Sequence, residues 1–428
     1  MRLYLVASKP TDAVTHGFLP AAARLGLDVT VLTDQPAAHD RAYAELPRLA
    51  GPGRRGVPAL AAEPGEYPPP RIEHCDVTDH RALIGALAAR PAADGLFSNS
   101  DHLQAQTALA AAYLGLPGKD WRSALRAKRK PLMRRTLAEA GIERVRVTEI
   151  RAGTEPAAAA EAAVGDGPRY PVVLKPADGV ASEDVVLVDD AEQLRWRCAD
   201  YFGRHPDGVL MAEEFLPGPL RTLETLGDGV TRWVLGGFRT TVSEPPFFAE
   251  ERLDWDPPRP QDQAHVLGAL DALGVSFGAC HTEYVSGEDT RLIEVNDRVI
   301  GDHCEFLLAH LTGLPLFELI LRIHLGERLP ADPPEPPPGR EHAVADYIFA
   351  ERPGVLCEVP PAARYERPGA EVAHWPMRRA GDEIAVTGTN RDYLGVICAV
   401  GPDPAAVDAA VRDLRPSLDS RIRSLVPA

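Results

Sequence analysis

The chain has 428 residues, 25% charged and 45% hydrophobic, and 46 Lys and Arg against 62 Asp and Glu leave a net charge of −16. At ~100–200 residues per domain this is a soluble globular chain of about three domains, and its acidic balance argues against nucleic acid as a partner. The longest apolar stretch, 306–325, is broken by His310, Pro315, Glu318 and Arg322, and MRLYLVASKP is too short an apolar start for a leader, so neither a membrane span nor a signal peptide is expected.

Residues 2–7 form an apolar run, 12–26 fit a helix closed by Gly26, and 28–33 read as a second strand, together a parallel α/β unit. Neither GxGxxG nor GxxxxGK[ST] occurs at the first strand–helix turn, so neither phosphate-cradling loop is present there. The Gly/Pro-rich segment 51–70 reads as a surface loop. A strand is expected at 95–99 and a helix at 101–114, with Asp101 as N-cap and Gly115 as closure. The first domain is placed at 1–118.

Pro131 suits a first helical position, which puts Lys130 at the start of a helix that runs to Ala140 and stops at Gly141. Six of the ten residues from Arg126 to Arg135 are basic, and the plain reading is a solvated basic face. Residues 170–176 and 177–188 read as strand, turn, strand, with Lys175 at a strand end where it could meet phosphate or simply water. Six prolines fall between 330 and 338, a semi-rigid linker composition. Beyond it, strands are expected at 343–349 and 393–400, and a final helix from Asp403 and Pro404 to about Leu425. The six cysteines form no CxxC pair and suit reduced thiols in the cytoplasm.

The stretch 281–296 alternates on both sides of Gly287-Glu288-Asp289-Thr290 and reads as a β-hairpin. A loop centred between Glu288 and Asp289 sets Glu283 opposite Glu294 and His281 opposite Asn296. Period two places these four on one face, and Thr282, Tyr284, Ile293 and Val295 on the other. Opposed carboxylates repel, so the pair needs a cation or abundant water. Two carboxylates and a carboxamide are oxygen donors suited to Mg²⁺ or Mn²⁺; the alternative is a solvated hairpin face. Cys280-His281 and His303-Cys304 are a weaker candidate for zinc, because neighbours in a strand point to opposite faces and do not readily chelate one metal together.

In order, the lysine before a helix ending in AGI (130–142), PVVLKPADG (171–179), LMAEEFLPG (210–218), LETLGDG (223–229), HTEY (281–284), LIEVNDR (292–298) and LTGLPLFELILRIHLGE (311–327) resemble the ATP-grasp superfamily. The resemblance is to its carboxylate–amine ligases, similar to L-amino-acid ligases, and spans about 95–425. It implies an α/β and α+β multidomain fold: a Rossmann-like domain at 1–118, an ATP-grasp domain at 119–335 with a lid at about 146–212, and a small C-terminal α/β unit at 336–428.

The resemblance further implies that Lys130 and Lys175 contact ATP phosphates and that Ser182 lies in the lid turn over the nucleotide. Glu213, Glu214, Phe215 and Leu216 would line the adenine and ribose pocket, with Glu224 nearby. Glu283, Glu294 and Asn296 would hold Mg²⁺, with Mn²⁺ as a substitute. Arg298, together with Lys175, would act on the substrate carboxylate or its acyl phosphate.

The chain departs from the pattern in several places. Pro219 and Leu220 stand where a glutamate is usual, and the lid turn is poor in glycine. Asn296-Asp297-Arg298 and Gly301-Asp302-His303-Cys304 are altered strings, and Glu244–Glu250 resembles a proline–aromatic substrate loop. The expected activity is ADP-forming ligation of a small carboxylate to a small amine through an acyl phosphate, giving a dipeptide or peptide-like amide. His281 and His303 are the candidate bases. Ligation in siderophore-type polycarboxylate assembly, phosphoryl or carboxyl transfer, and a non-catalytic nucleotide-binding regulator are the alternatives. No membrane or nucleic-acid partner is expected, and no feature fixes the oligomeric state, a homodimer being one form open to it.

Overall fold

The first strands assemble as their alternation with helices requires. Arg71–His74, Asp28–Thr33, Arg2–Val6 and Gly95–Phe97 form, in that order, an all-parallel sheet. The structure, a computed structural model, describes residues 1–44, 69–155, 170–179 and 181–423, so most of the expected 51–70 loop lies outside the described residues. The first helix begins with a π-helical turn, Ala13–Phe18, continues as Leu19–Arg24, and is left at Gly26 with φ +65°. Asp101 is not the helix cap expected of it. It lies inside a 3₁₀ turn, Asp101–Leu103, and its carboxylate pairs with Lys128. The helix Gln104–Leu114 then closes at Gly115 as expected.

A four-stranded antiparallel sheet follows, in the order Val147–Arg151, Val209–Glu214, Val172–Pro176, Val186–Val188. The helix Ala191–Arg204, capped by Asp190, covers it through Leu194 and Cys198, which pack on Ile150, Val172, Leu174 and Leu210. The largest sheet has ten strands. From its hairpin edge it runs Thr290–Asn296, Phe277–Ser286, Leu220–Asp228, Phe238–Val242, Glu250–Trp255, His342–Phe349, Tyr393–Gly401, Ala370–Pro376 and Ala363–Arg367, with Arg232–Gly236 also paired to Leu220–Asp228. Strands on both sides of the proline-rich segment thus share one ladder, joined where Arg252–Asp254 pairs Val344–Asp346.

Asp403 caps the last helix as expected, but that helix is Pro404–Leu414 and does not reach Leu425. Pro416 lacks an N–H and restricts the residue before it, and the chain turns into a short strand, Arg421–Arg423, beside Gly354–Glu358. The apolar stretch near 306–325 is two helices, Cys304–Thr312 and Leu316–His324, bent by 98° and buried in the main core. Among the described residues no single helix is long and apolar enough to cross a membrane.

Candidate functional site

The hairpin pairs as its alternation requires at the end that matters. His281 faces Asn296, Thr282 faces Val295, and Glu283 faces Glu294. Between that end and the turn the register shifts by one residue: Tyr284 pairs with Leu292 and Ser286 with Thr290, which leaves a three-residue turn, 287–289. A bulge therefore lifts Ile293 off the apolar face, and Leu292, fully buried, joins Tyr284 and Val295 there. Asp262, on the helix Pro260–Leu273, pins the turn by accepting hydrogen bonds from Ser286 Oγ (2.8 Å), Thr290 Oγ1 (2.6 Å) and the Arg259 guanidinium (2.8 and 2.9 Å).

On the other side of the hairpin lies the strand Leu220–Asp228, where Glu224 pairs with His281 and Thr222 with Glu283. Glu224 is 2% exposed, and its Oε1 is 2.8 Å from His281 Nδ1. His281 Nε2 lies 3.4 Å from Glu283 Oε1. Burial disfavours the imidazolium, but Glu224 and Glu283 outweigh it and push His281 up to about 10. Cys280 points to the opposite face, into the core beside Leu292, as strand geometry demands. Among the described residues no group of three His, Cys, Asp or Glu side chains is placed to hold a metal ion.

Lys130 begins the helix Lys130–Glu139. Its ammonium is 3.0 Å from Glu294 Oε1 and donates to the Gly179 carbonyl at 3.3 Å, so it bridges the hairpin and the lid turn. The opposed glutamates are thus each given a cation, Lys130 for Glu294 and His281 for Glu283.

Lys175 donates to Glu213 Oε1 at 2.9 Å across the lid sheet. Burial draws Lys175 below its ordinary value, with Glu213 opposing the shift. Glu213 also takes two bonds from Arg134, at 3.0 and 2.7 Å. Burial alone would raise the Glu213 carboxyl, but Arg134 and Lys175 hold it at about 2.

Arg134 is one residue that sequence reasoning missed. It is 4% exposed and also reaches Glu143 Oε1 (3.1 Å) and the Leu292 carbonyl (2.7 Å), so it joins lid, helix and hairpin. The basic run is therefore not wholly a solvated face: Lys130 and Arg134 are buried, while Arg135 stays exposed. The signal was its spacing: Arg134 follows Lys130 by four residues and shares its side of the helix. Lys119 was missed as well; its ammonium is 2.8 Å from Asp297 Oδ1, with both groups buried.

Glu214 accepts from the Arg146 amide at 2.9 Å, and Phe215 is 38% exposed beside it. Leu216 is half-buried at the strand's exit. Asn296 is buried next to the glutamate pair, and Arg298 donates to the Val299 carbonyl at 2.8 Å while its charge is felt at Glu283, Asp101 and Asp302. Asp302 and His303 both have left-handed backbones, φ 54° and 71°. His303 Nε2 is 3.0 Å from Asp12 Oδ2, and its ring stacks on Trp375 with centroids 5.2 Å apart.

The lid turn holds Ala181, Ser182 and Asp184 at φ near +55°, the region glycine usually fills. Salt bridges fasten it: Arg204 to Asp184 at 2.7 Å, and Arg391 to Glu183 at 2.9 Å. Ser182, Glu183, Tyr201, Phe247, Thr389 and Arg391 are among the residues around a cavity of about 950 Å³. The proline–aromatic loop touches the lid, Pro246 accepting from the Leu187 amide at 2.9 Å and Phe247 packing on the lid core. At that loop's end Glu250 is half-buried, and burial together with the negative charge of Glu283 pushes its carboxyl up to about 8.

No family model matches the chain, and a search of the curated proteins returns no match. Solved structures do match over nearly its whole length. An L-amino acid ligase from Bacillus licheniformis superposes with a TM-score of 0.72 at 22% identity, covering 99% of each chain. A phosphoribosylglycinamide synthetase from Anaerococcus prevotii gives 0.67 at 16%, again covering 99% of each. The biotin carboxylase domain of Hydrogenobacter thermophilus 2-oxoglutarate carboxylase, in complex with MgADP, ADP and bicarbonate, gives 0.69 at 16%, covering 98% of this chain and 90% of that one. The chain has the ATP-grasp fold, as its ordered strings implied.

Proposed function

We propose that the protein is an ATP-dependent, ADP-forming carbon–nitrogen ligase that joins a small carboxylate to an amine through an acyl phosphate. The observation behind this reading is the opposed pair Glu283 and Glu294, with Lys130 on Glu294 and Asn296 paired one step away on the same hairpin end. The similarity to an L-amino acid ligase supports a dipeptide or peptide-like product.

The donor set fits Mg²⁺. Two carboxylates directly across a ladder already require positive charge, and Lys130 now supplies it at Glu294. Glu283, Glu294 and Asn296 would hold the ion, with Mn²⁺ as a substitute of the same oxygen-seeking kind. When bound, it would neutralise charge on the ATP phosphates.

The chain's own residues do the rest. Lys130, released from Glu294, and Lys175 would bind phosphate, and Phe215 and Leu216 would border the nucleotide base. Arg298, a fixed fork of donors, would orient the substrate carboxylate and steady the tetrahedral oxyanion. The lid, fastened through Asp184 and Glu183, would exclude water from the reactive acyl group. In such a step positioning and charge neutralisation provide most of the acceleration.

The test is product analysis. Pure protein is incubated with ATP, Mg²⁺ and pooled amino acids, polycarboxylates and amines, and ADP is resolved from AMP alongside a search for new amide masses. Pool-dependent ADP with a condensation mass supports the reading, and a polycarboxylate amide would assign the product to siderophore-type assembly. AMP with pyrophosphate overturns it. Nucleotide binding without turnover favours a regulatory protein.

A further inference from the structure

The strand Thr290–Asn296 is an edge of the ten-stranded sheet, so Asn296, its last residue, is held by the ladder on one side only, opposite His281. The altered string Asn296-Asp297-Arg298 leaves the sheet at that point. It does so through a tight turn: the Arg298 amide donates to the Asn296 carbonyl at 2.7 Å, two residues back, and Asp297 at the centre is not among the residues with positive φ. That pattern is an inverse γ-turn, whose central residue has φ at about −75°. The direction in which Asn296 and Arg298 project is set by this turn, and a single hydrogen bond closes it.

Lys119 supplies the second hold. It lies just before the helix Trp121–Lys128, 178 residues from the turn in sequence. Its ammonium donates to the Asp297 carbonyl and lies 2.8 Å from Asp297 Oδ1, the two side chains being 7% and 3% exposed. To reach the turn it passes against the strand Phe277–Ser286 at Gly278. There φ is +80°, and a Cβ would stand 3.0 Å from Lys119 Cε and 3.4 Å from His324 Cε1, so glycine provides both the conformation and the passage. Beyond the turn, Arg298 donates to the Val299 carbonyl, which holds the guanidinium close to its own backbone. A buried ion pair adds little net stability over apolar groups of like size, so a lysine threaded through the sheet to grip one turn twice is better accounted for by geometry than by stability.

We propose that Lys119 is a positioning residue: by holding both the carboxylate and the carbonyl of Asp297 it fixes the turn that aims Asn296 at the metal and Arg298 at the substrate carboxylate. This inference rests on the ligase reading. Lys119 acts through Asp297 alone, so any other device that fixes the turn should replace it. Proline is such a device, because its ring holds φ at about −65°, within reach of the inverse γ-turn, and carries no charge.

Two full-length double variants separate turn geometry from charge balance. Lys119→Met with Asp297→Asn removes both buried charges and restrains nothing; Lys119→Met with Asp297→Pro removes both and restrains φ. Each is compared with wild type in melting temperature, in Mn²⁺ affinity with ADP present, read by electron paramagnetic resonance, and in KM for the carboxylate that product analysis identifies. The asparagine variant is expected to melt close to wild type but to bind Mn²⁺ about 10–100-fold more weakly, with KM raised to a similar degree. The proline variant is expected to recover most of both losses. Mn²⁺ affinity and KM unchanged in the asparagine variant, or the two variants equally impaired, overturns the assignment. A wild type that binds ADP and Mn²⁺ but forms no product from the pool overturns the ligase reading instead, and the Mn²⁺ affinities of the variants still decide for or against Lys119.

Discussion

Arg134 shows how much of the site's charge balance rests on one side chain. Buried between Glu213 and Glu143, it pairs with both carboxylates and shares Glu213 with Lys175. Replacing it removes a buried partner shared by two carboxylates, so Arg134→Leu is expected to cost about 3–5 kcal/mol of stability in urea unfolding. Glu213 makes the converse, pH-dependent contribution. Its carboxyl is depressed from 4.5 to about 2, so the stability it adds is present above about pH 4.5 and is lost as pH falls toward 2. Unfolding midpoints of Glu213→Gln should therefore vary less with pH across that window than those of wild type. At the opposed pair, Glu294→Gln keeps the shape and removes one charge. Amide synthesis is expected to fall by at least the ~10–100-fold that losing an outer metal partner costs; wild-type turnover at saturating Mg²⁺ would refute the metal role.

At the level of elements, the hairpin and the lid turn are both held from outside themselves. The hairpin's three-residue turn is held by Asp262 on a neighbouring helix, not by turn chemistry alone. Asp262→Ala removes the acceptor for two buried hydroxyls and is expected to destabilise the protein by about 1–3 kcal/mol. It should also raise hydrogen exchange at Ser286 and Thr290. The lid turn adopts left-handed backbone without glycine and is secured by Arg204 and Arg391. Arg391→Ala cuts the tie to the C-terminal segment while leaving Arg204 in place. Faster hydrogen exchange at 172–188, with the sheet at 220–228 unchanged, is the expected result.

For the whole molecule, the ten-stranded sheet carries the hairpin carboxylates at one end and the strand beside Asn390 further along, and Lys130 ties the hairpin to the turn that leaves the four-stranded sheet. A nucleotide held there, as proposed, would bridge elements that separate on unfolding. Mg²⁺ with ATP at 100 times Kd is expected to add about 2.7 kcal/mol of stability, seen as a raised Tm, and Glu294→Gln should lessen the share that depends on Mg²⁺.

The opposition of Glu283 to Glu294 and of His281 to Asn296 was legible in the sequence, because alternation with period two dictates which residues share a face. So were the Asp403 cap, the Gly115 closure and the order of the motif strings, all local properties of neighbouring residues. The bulge at Ile293 was not, and the turn beyond it is held by Asp262 on another element. Nor was the burial of the basic run: Arg134 meets Glu213 at a separation of 79 residues, and Asn390 meets Glu250 at 140. Residue order along the chain thus determined the faces, the caps and the candidate donors. Tertiary packing decided which carboxylate meets which cation, because the energy of a buried charge depends on partners that only folding brings within reach.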